Sequence, residues 1–220
     1  MSAAPDDGDA ALIARARGRS SATLHEAAKK IGALPAAIKP HAVDVRVCGT
    51  AFPVKSPSGD NLWLHHAIYA AAAGEVLVID VGSDPEFGYW GEVMAVAAEA
   101  RGIAGLVING GARDVERMLA MRFPVFSMTP SIRGTVKNVD GEGSLGTPVR
   151  IGGVTVNRGD LVFADIDGVV VLPRAAAAQI VADGELRDAQ EEEIFRRLRA
   201  GETTLAVYGL PTPSALRSDR

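Results

Sequence analysis

Apolar residues recur along the chain in two rhythms, one of helical and one of strand spacing, and the changes between them set the order of elements. Residues 9–17 have helical spacing. Ser20-Ser21-Ala22-Thr23 supplies hydroxyl caps for a helix through Ile31, which Gly32 ends. Pro35 and Pro40 mark a loop, and residues 43–47 and 50–54 read as strands about a Cys48-Gly49 bend. Ser58-Gly59-Asp60-Asn61 caps a helix that runs through Leu64, Ile68 and Ala71 and stops at Gly74. Residues 75–80 then form a continuous apolar run, as expected of a strand buried on both faces.

The alternation repeats. A helix over 92–101, with Val93, Val96, Ala97 and Ala100 on one face, is halted by Gly102. A strand over 105–108, a helix over 115–122 and a short strand over 124–126 follow. Strands and helices at this spacing call for a parallel sheet with crossover helices. From Gly141 the pattern changes to short strands over 147–151, 154–156, 160–163 and 169–172, separated by Gly152-Gly153, Arg158-Gly159 and the hairpin signal Asp167-Gly168. This predicts an antiparallel layer beside the parallel one. Residues 174–199 read as a long helix with a break expected near Asp183-Gly184, and residues up to about Gly8 as a loose tail.

Length and composition narrow the picture. A chain of 220 residues fits one domain, 1–220, with residues 1–18 as a tail and short helix. Aromatics make up only 5%, so Ala, Val, Ile and Leu must fill the interior. The net charge of −4 and the lack of a Lys/Arg stripe argue against a nucleic-acid binder. The one cysteine, Cys48, excludes an intrachain disulfide and cysteine-built metal sites, and its strand-like setting predicts burial. The acidic start has no apolar signal core and no run is long enough to span a membrane, so a cytoplasmic protein without a membrane partner is expected.

Candidate chemistry concentrates between Tyr89 and Asp114. If a helix starts after Gly91, the free amides of Glu92, Val93 and Met94 form an anion site aided by the helix dipole; otherwise this is a plain loop-to-helix junction. Arg113-Asp114 follows a buried strand and two glycines, where open α/β sheets place ligands. Arginine grips carboxylates through parallel N–H bonds, and an aspartate oxygen suits Mg²⁺, which takes one or two protein carboxylates. The alternatives there are a surface ion pair or a helix N-cap by Asp114. The pair points to a small metal-dependent enzyme acting on a carboxylate.

Other motifs add little. His65-His66 lies within a helix where neighbours diverge, and His25 and His41 stand alone, so structural or solvated roles are expected for all four. Asp165-Ile166-Asp167-Gly168 lacks the downstream glutamate of a calcium loop and fits a hairpin turn. Neither GxxxxGK[ST] nor GxGxxG occurs, and Glu191-Glu192-Glu193 reads as a solvated helix face.

Taken together, several segments resemble the RraA-like family, specifically its 4-hydroxy-4-methyl-2-oxoglutarate/4-carboxy-4-hydroxy-2-oxoadipate aldolase branch. They are Ser21 to Ala27, Gly59-Asp60-Asn61, Gly74 to Asp80, Trp90 to Asp114, Phe123 to Phe126, Ala164 to Val170 and Leu198 to Thr204. The resemblance implies an α/β fold, a β/β/α sandwich of swivelling-domain type with a parallel sheet, an antiparallel strand layer and terminal helices. It implies a homotrimer or hexamer with sites at subunit boundaries, in which the 174–199 helix packs on a neighbour. It also implies a divalent-metal-dependent (class II) pyruvate aldolase, using Mg²⁺ or Mn²⁺, with oxaloacetate decarboxylation as a side activity.

Carried over by residue, Arg113 would bind the 2-oxo acid and stabilise the enolate, and Asp114 would hold the metal. The Glu92, Val93 and Met94 amides beside Gly91 would receive the substrate carboxylate. Glu191, Glu192 or Glu193 of a neighbouring subunit would complete the site. The same fold also carries dedicated oxaloacetate decarboxylases and a non-catalytic ribonuclease regulator; that regulator lacks the aspartate kept here at Asp114. Two positions depart from the usual pattern: Asn109 replaces an aspartate, and Arg117 stands where an acid is expected, with Glu116 one place earlier.

Overall fold

A computed structural model describes residues 7–216, so the expected tail lies, up to residue 6, outside the described residues. The helices are α1 (Asp7–Arg17), α2 (Ser21–Ala27), α3 (Leu62–Ala70), α4 (Glu92–Ala100), α5 (Val115–Met121), α6 (Arg174–Arg199) and α7 (Thr204–Tyr208). The strands begin with β1 (Lys39–Pro40), β2 (Val47–Lys55), β3 (Glu75–Asp80), β4 (Gly88–Trp90), β5 (Gly105–Ile108) and β6 (Gly111–Ala112). They continue with β7 (Val125–Ser127), β8 (Thr129–Pro130), β9 (Ser144–Leu145), β10 (Val149–Ile151), β11 (Val154–Val156), β12 (Leu161–Asp165) and β13 (Gly168–Leu172).

The main sheet runs β1-β7-β5-β3-β2-β12-β13, with β9 also paired to β2. Its centre, β2, β3, β5 and β7, is parallel, while β12, β13, β9 and β1 join antiparallel. The sheet curls until its edges nearly meet. Val171 donates its amide to Gly32, Leu34 to Val169, and Lys39 of β1 reaches the carbonyl of Asp167 in the far hairpin. Gly32 is required at this seam: its φ is 87°, and a Cβ would stand 2.2 Å from the Val171 carbonyl oxygen. The fold is therefore the expected mixed α/β type, with a parallel core, antiparallel strands and flanking helices.

Side-chain alternation divides the interior. From β3, Leu77 and Ile79 point to the layer of α3, α4 and α5, while Val76 and Val78 face the β10–β11 hairpin inside the curl. A third cluster packs α1, α2 and α6 on Phe163, Val170 and Leu172. Because β3 is buried on both faces, it reads in sequence as an unbroken apolar run.

Four expectations need correction. No bend occurs at Cys48-Gly49, and residues 43–46 are not strand; β2 runs straight from Val47, held between β12 and β3. The helix from Ser21 stops at Ala27, after which Lys29 and Lys30 turn left-handed. The long helix is unbroken at Asp183-Gly184, where Gly184 lies against Leu24 and lets α6 approach α2. On α4 the supposed inner face points outward: Val93 is 78% and Val96 50% exposed, whereas Met94, Ala95 and Ala98 are buried. That helix is apolar nearly all round, so spacing could not choose its buried side.

Asp165 ties the third layer together. Its carboxylate, buried in the β12–β13 turn, accepts from the Ser21 amide (2.9 Å), the Ser21 hydroxyl (2.5 Å) and the Asp167 amide (3.0 Å). Asp165→Ala strands these donors, and we expect a loss of about 3 kcal/mol. Urea unfolding checks this; a loss below about 1 kcal/mol would show the donors are readily satisfied by water.

Candidate active site

Two strand-to-helix junctions lie side by side. β4 leads through Gly91 into α4, and β6 leads through Arg113 and Asp114 into α5; the strands pair in parallel, Gly88 with Gly111 and Trp90 with Ala112. With β8 they form a separate three-stranded parallel sheet. The Arg113 amide donates to the Trp90 carbonyl at 2.8 Å and locks the junctions together.

At Gly91 the requirement is space, because its φ of −156° is ordinary extended backbone. A Cβ there would stand 2.5 Å from Asp114 Oδ2 and 3.0 Å from Arg113 Cγ. Gly88 is similarly confined by the Ser131 carbonyl and Arg113 Cβ. Asp114 occupies the left-handed region (φ 55°, ψ 33°), which aspartate tolerates better than most residues. Asp114 holds the N-cap position of α5 without a capping side-chain bond; its Oδ2 instead accepts from the Glu92 amide of α4 at 3.2 Å.

The structure therefore narrows the expected amide cluster. Glu92 N–H is engaged by Asp114, Met94 N–H bonds to the Gly91 carbonyl, and the Val93 amide in the same turn has no backbone acceptor among the described residues. Arg113 Nε lies 3.8 Å from Asp114 Oδ2, with the side chains 48% and 44% exposed. An ion pair so open contributes little to stability. Asp114 Oδ1 has no partner among the described residues.

A polar cluster closes the strand ends nearby. Lys55 Nζ donates to Asp80 Oδ2 at 2.6 Å, Asn109 Nδ2 to Asp80 Oδ1 at 2.8 Å, and Val81 N–H to Asn109 Oδ1 at 2.8 Å. Asn109 thus needs both a donor and an acceptor, and an aspartate there would set a second carboxylate against Asp80. Burial pushes the Asp80 carboxyl up, but Lys55, the Gly82 amide and Asn109 outweigh it and leave it below its ordinary value. Glu116 and Arg117 are exposed on α5.

Glu191, Glu192 and Glu193 lie on α6, which packs on α1, α2, β13 and α7. Glu191 pairs with Arg187 at 3.1 Å and Glu193 with Arg196 at 2.5 Å, while Glu192 is exposed. The structure does not bring them to Arg113 within one chain. Among the described residues no group of three or more His, Cys, Asp or Glu is arranged to hold a metal, and no helix is long and apolar enough to cross a membrane. His41 bonds to Ser127 at 2.7 Å and burial lowers its pKa, a structural setting; burial, then Lys137 and His66, lower that of His65. Cys48 is buried, its thiol pushed up to about 12 by burial against the opposing charge of Arg17.

Sequence reading missed the residues that hold the junction. The Tyr89 hydroxyl accepts from Gly59 N–H at 2.9 Å and donates to the Asp84 carbonyl at 2.6 Å, while Asn61 Nδ2 donates to the Tyr89 carbonyl at 3.0 Å. Arg133 covers the Phe87 ring at 3.9 Å and approaches Asp84 at 3.6 Å. The glycines bracketing Tyr89-Trp90 were the available signal for a close backbone approach.

The Asp80 cluster yields a pH prediction. A depressed carboxyl stabilises the fold above its unfolded value near 3.8, and this contribution is lost as pH falls through the folded value. In Lys55→Met, Asp80 titrates higher by carboxyl NMR. The variant is less stable at pH 7 by about 1 kcal/mol, allowing for screening at the half-exposed lysine, and the deficit shrinks in acid. An unmoved Asp80 titration would remove Lys55 from this account.

A family model described as Aldolase/RraA matches residues 21–171. A protein of Halalkalibacterium halodurans provisionally named a 4-hydroxy-4-methyl-2-oxoglutarate aldolase is 33% identical over 175 residues, 80% of this chain and 82% of that protein. Among solved structures, an uncharacterized protein from Pseudomonas syringae superposes with a TM-score of 0.77 at 26% identity, covering 90% of this chain and 97% of that one. Streptomyces coelicolor RraAS2, described as an unusual member of the RNase ES inhibitor RraA protein family, superposes at 0.71 with 27% identity, covering 89% of this chain and all of that one. With the match spanning both junctions and most of the sheet, the chain belongs to the RraA-like family.

Proposed function

We propose that this protein is a divalent-metal-dependent lyase that cleaves a 4-hydroxy-2-oxo di- or tricarboxylate, of the 4-hydroxy-4-methyl-2-oxoglutarate kind, by retro-aldol reaction to release pyruvate. The observation that carries the reading is the Arg113-Asp114 pair, half-exposed over the Gly91 cradle, with Asp114 Oδ1 without a partner among the described residues. The aldolase name of a relative that aligns over most of the chain supports it.

The donor set fits such a metal. One carboxylate oxygen at an open junction, with no group of three or more His, Cys, Asp or Glu arranged for a metal among the described residues, suits Mg²⁺ or Mn²⁺, of which Mg²⁺ characteristically keeps several waters. When bound, the ion supplies positive charge beside the substrate's 2-oxo oxygen. Asp114 Oδ1 would hold it, while the Glu92 amide fixes Oδ2. As the 4-hydroxyl gives its proton to water and the C3–C4 bond breaks, the bonding pair moves into the pyruvate enolate, which takes a proton from water at C3 to leave as pyruvate. Arg113 donates to that developing oxyanion and orients the substrate. The Val93 amide, at the positive end of α4, is placed to receive the substrate carboxylate.

Oxaloacetate decarboxylation passes through the same enolate, so it is expected as a side activity. The remaining acid comes from Glu191, Glu192 or Glu193 of a neighbouring copy in a trimer or hexamer, in which α6 and α7 bury their exposed Leu186, Phe195, Leu205 and Tyr208. The partners are then a small 2-oxo acid and further copies of the chain. A monomer by light scattering at micromolar concentration would leave this acid without a source.

Asp114→Ala is expected to abolish metal-dependent pyruvate release with the fold intact. Arg113→Lys, which keeps charge but loses the planar fork, should cost on the order of 3 kcal/mol, about a hundredfold in rate. Pyruvate release with Mg²⁺ or Mn²⁺ is the measurement. Near wild-type rates in both variants would make the pair structural. The likeness to RraAS2 supports a second reading, a non-catalytic ribonuclease regulator. Stable ribonuclease capture with no turnover of any 2-oxo acid would favour it.

A further inference from the structure

A second concavity opens at the opposite ends of the strands that lead towards Arg113. Ala104 and Pro124, just before β5 and β7, line a cavity of about 350 Å³ with Cys48, Phe163, Arg17 and Arg46. Arg46 and Pro124 also border an adjoining concavity of about 380 Å³ that reaches Arg122. Asp44 is the one acidic residue among the described lining of the two. Arg17 donates to the Cys48 carbonyl at 3.5 Å, a neutral acceptor, and none of the three arginines pairs with a carboxylate among the described residues. This contrasts with Arg15 and Arg19 on the same segment, which bind Glu185 and Asp188. The floor is apolar and its thiol is held protonated by burial, so the groove suits reversible binding and no covalent step.

We propose that this groove binds a small amphiphilic carboxylate of the alkanoate class, its acid group held by Arg17 and Arg46 and its chain laid along Ala104, Pro124 and Phe163. Paired guanidinium N–H groups match a carboxylate, and the cavity lies within the usual size range of small-molecule sites. The site is separate from Arg113 and does not rest on the proposed reaction.

Calorimetric titration of the full chain with sodium octanoate tests this. We expect one saturable site per chain, absent for 1-octanol. Hexanoate, two methylenes shorter, should bind about fifteenfold more weakly, since each buried methylene is worth roughly a fourfold change. Arg17→Gln combined with Arg46→Gln should weaken octanoate at least tenfold, and Ala104→Phe should fill the floor and abolish binding. No saturable binding, equal binding of octanol, or unchanged affinity in a folded double arginine variant would overturn the proposal. A neighbouring copy seated over the groove would appear as absent binding and overturn it equally. If the variants fail to fold, the chain-length and octanol comparisons on the unaltered protein still decide.

Discussion

Everything at the candidate site depends on how closely the Gly91 backbone lies against the Asp114 side chain. A methyl group at Gly91 would lie 2.5 Å from Asp114 Oδ2, so no larger residue fits without moving that carboxylate. The contact has structural consequences in both directions. It lets one carboxylate oxygen cap the Glu92 amide of a helix to which Asp114 does not belong, leaving the other oxygen exposed. It also brings Trp90 close enough to accept from the Arg113 amide, which aligns the two strand ends and directs the arginine beside the aspartate. A left-handed residue at Asp114 is the strain that accompanies this arrangement.

The surroundings keep the junction from relaxing. Tyr89 is fully buried, and its hydroxyl joins Gly59 to Asp84, so the loop before α3 and the loop before β4 move together. Asn61 secures the Tyr89 carbonyl from the same side. Below, the Lys55-Asp80-Asn109 cluster satisfies every charge it buries, which the ends of densely packed parallel strands demand. Rigid strands beneath and a pinned tyrosine beside it leave the Arg113 and Asp114 side chains as the solvent-facing part of the junction.

The strands over 75–80 and 105–108 were legible in sequence because each is a bounded apolar run, and the parallel alternation followed from their spacing with helices; that over 154–156 was legible from the glycines that bound it. The three-stranded sheet through Gly88–Trp90, Gly111–Ala112 and Thr129–Pro130 was not, since strands of two or three residues rich in glycine and proline carry no periodicity. The buried side of α4 was misread because Val93 and Val96 are as apolar as Met94 and Ala98, and only the partner surface distinguishes them. Arg113 and Asp114 stood out as candidates from chemistry and position. Their supports Tyr89 and Asn61 were hidden because each acts through a partner distant in sequence, and only the glycines beside Tyr89-Trp90 hinted at the close approach.

Asn109 shows how one amide can serve the closure of two strand ends. Its amide donates to Asp80 and its carbonyl accepts from Val81, so both ends are consumed in closing the strand ends. A carboxylate would lose the donor and face Asp80 across a short gap, which only a proton or a cation could reconcile. An asparagine here thus puts no negative charge behind the junction, and Arg117 stands as an exposed cation on α5. On the proposed reading, a cation held by fewer carboxylates is held less tightly but keeps more of its charge for the substrate. A cation of that kind would draw acids carrying two or three carboxylates more strongly than those carrying one, since attraction grows with the charge on the ligand.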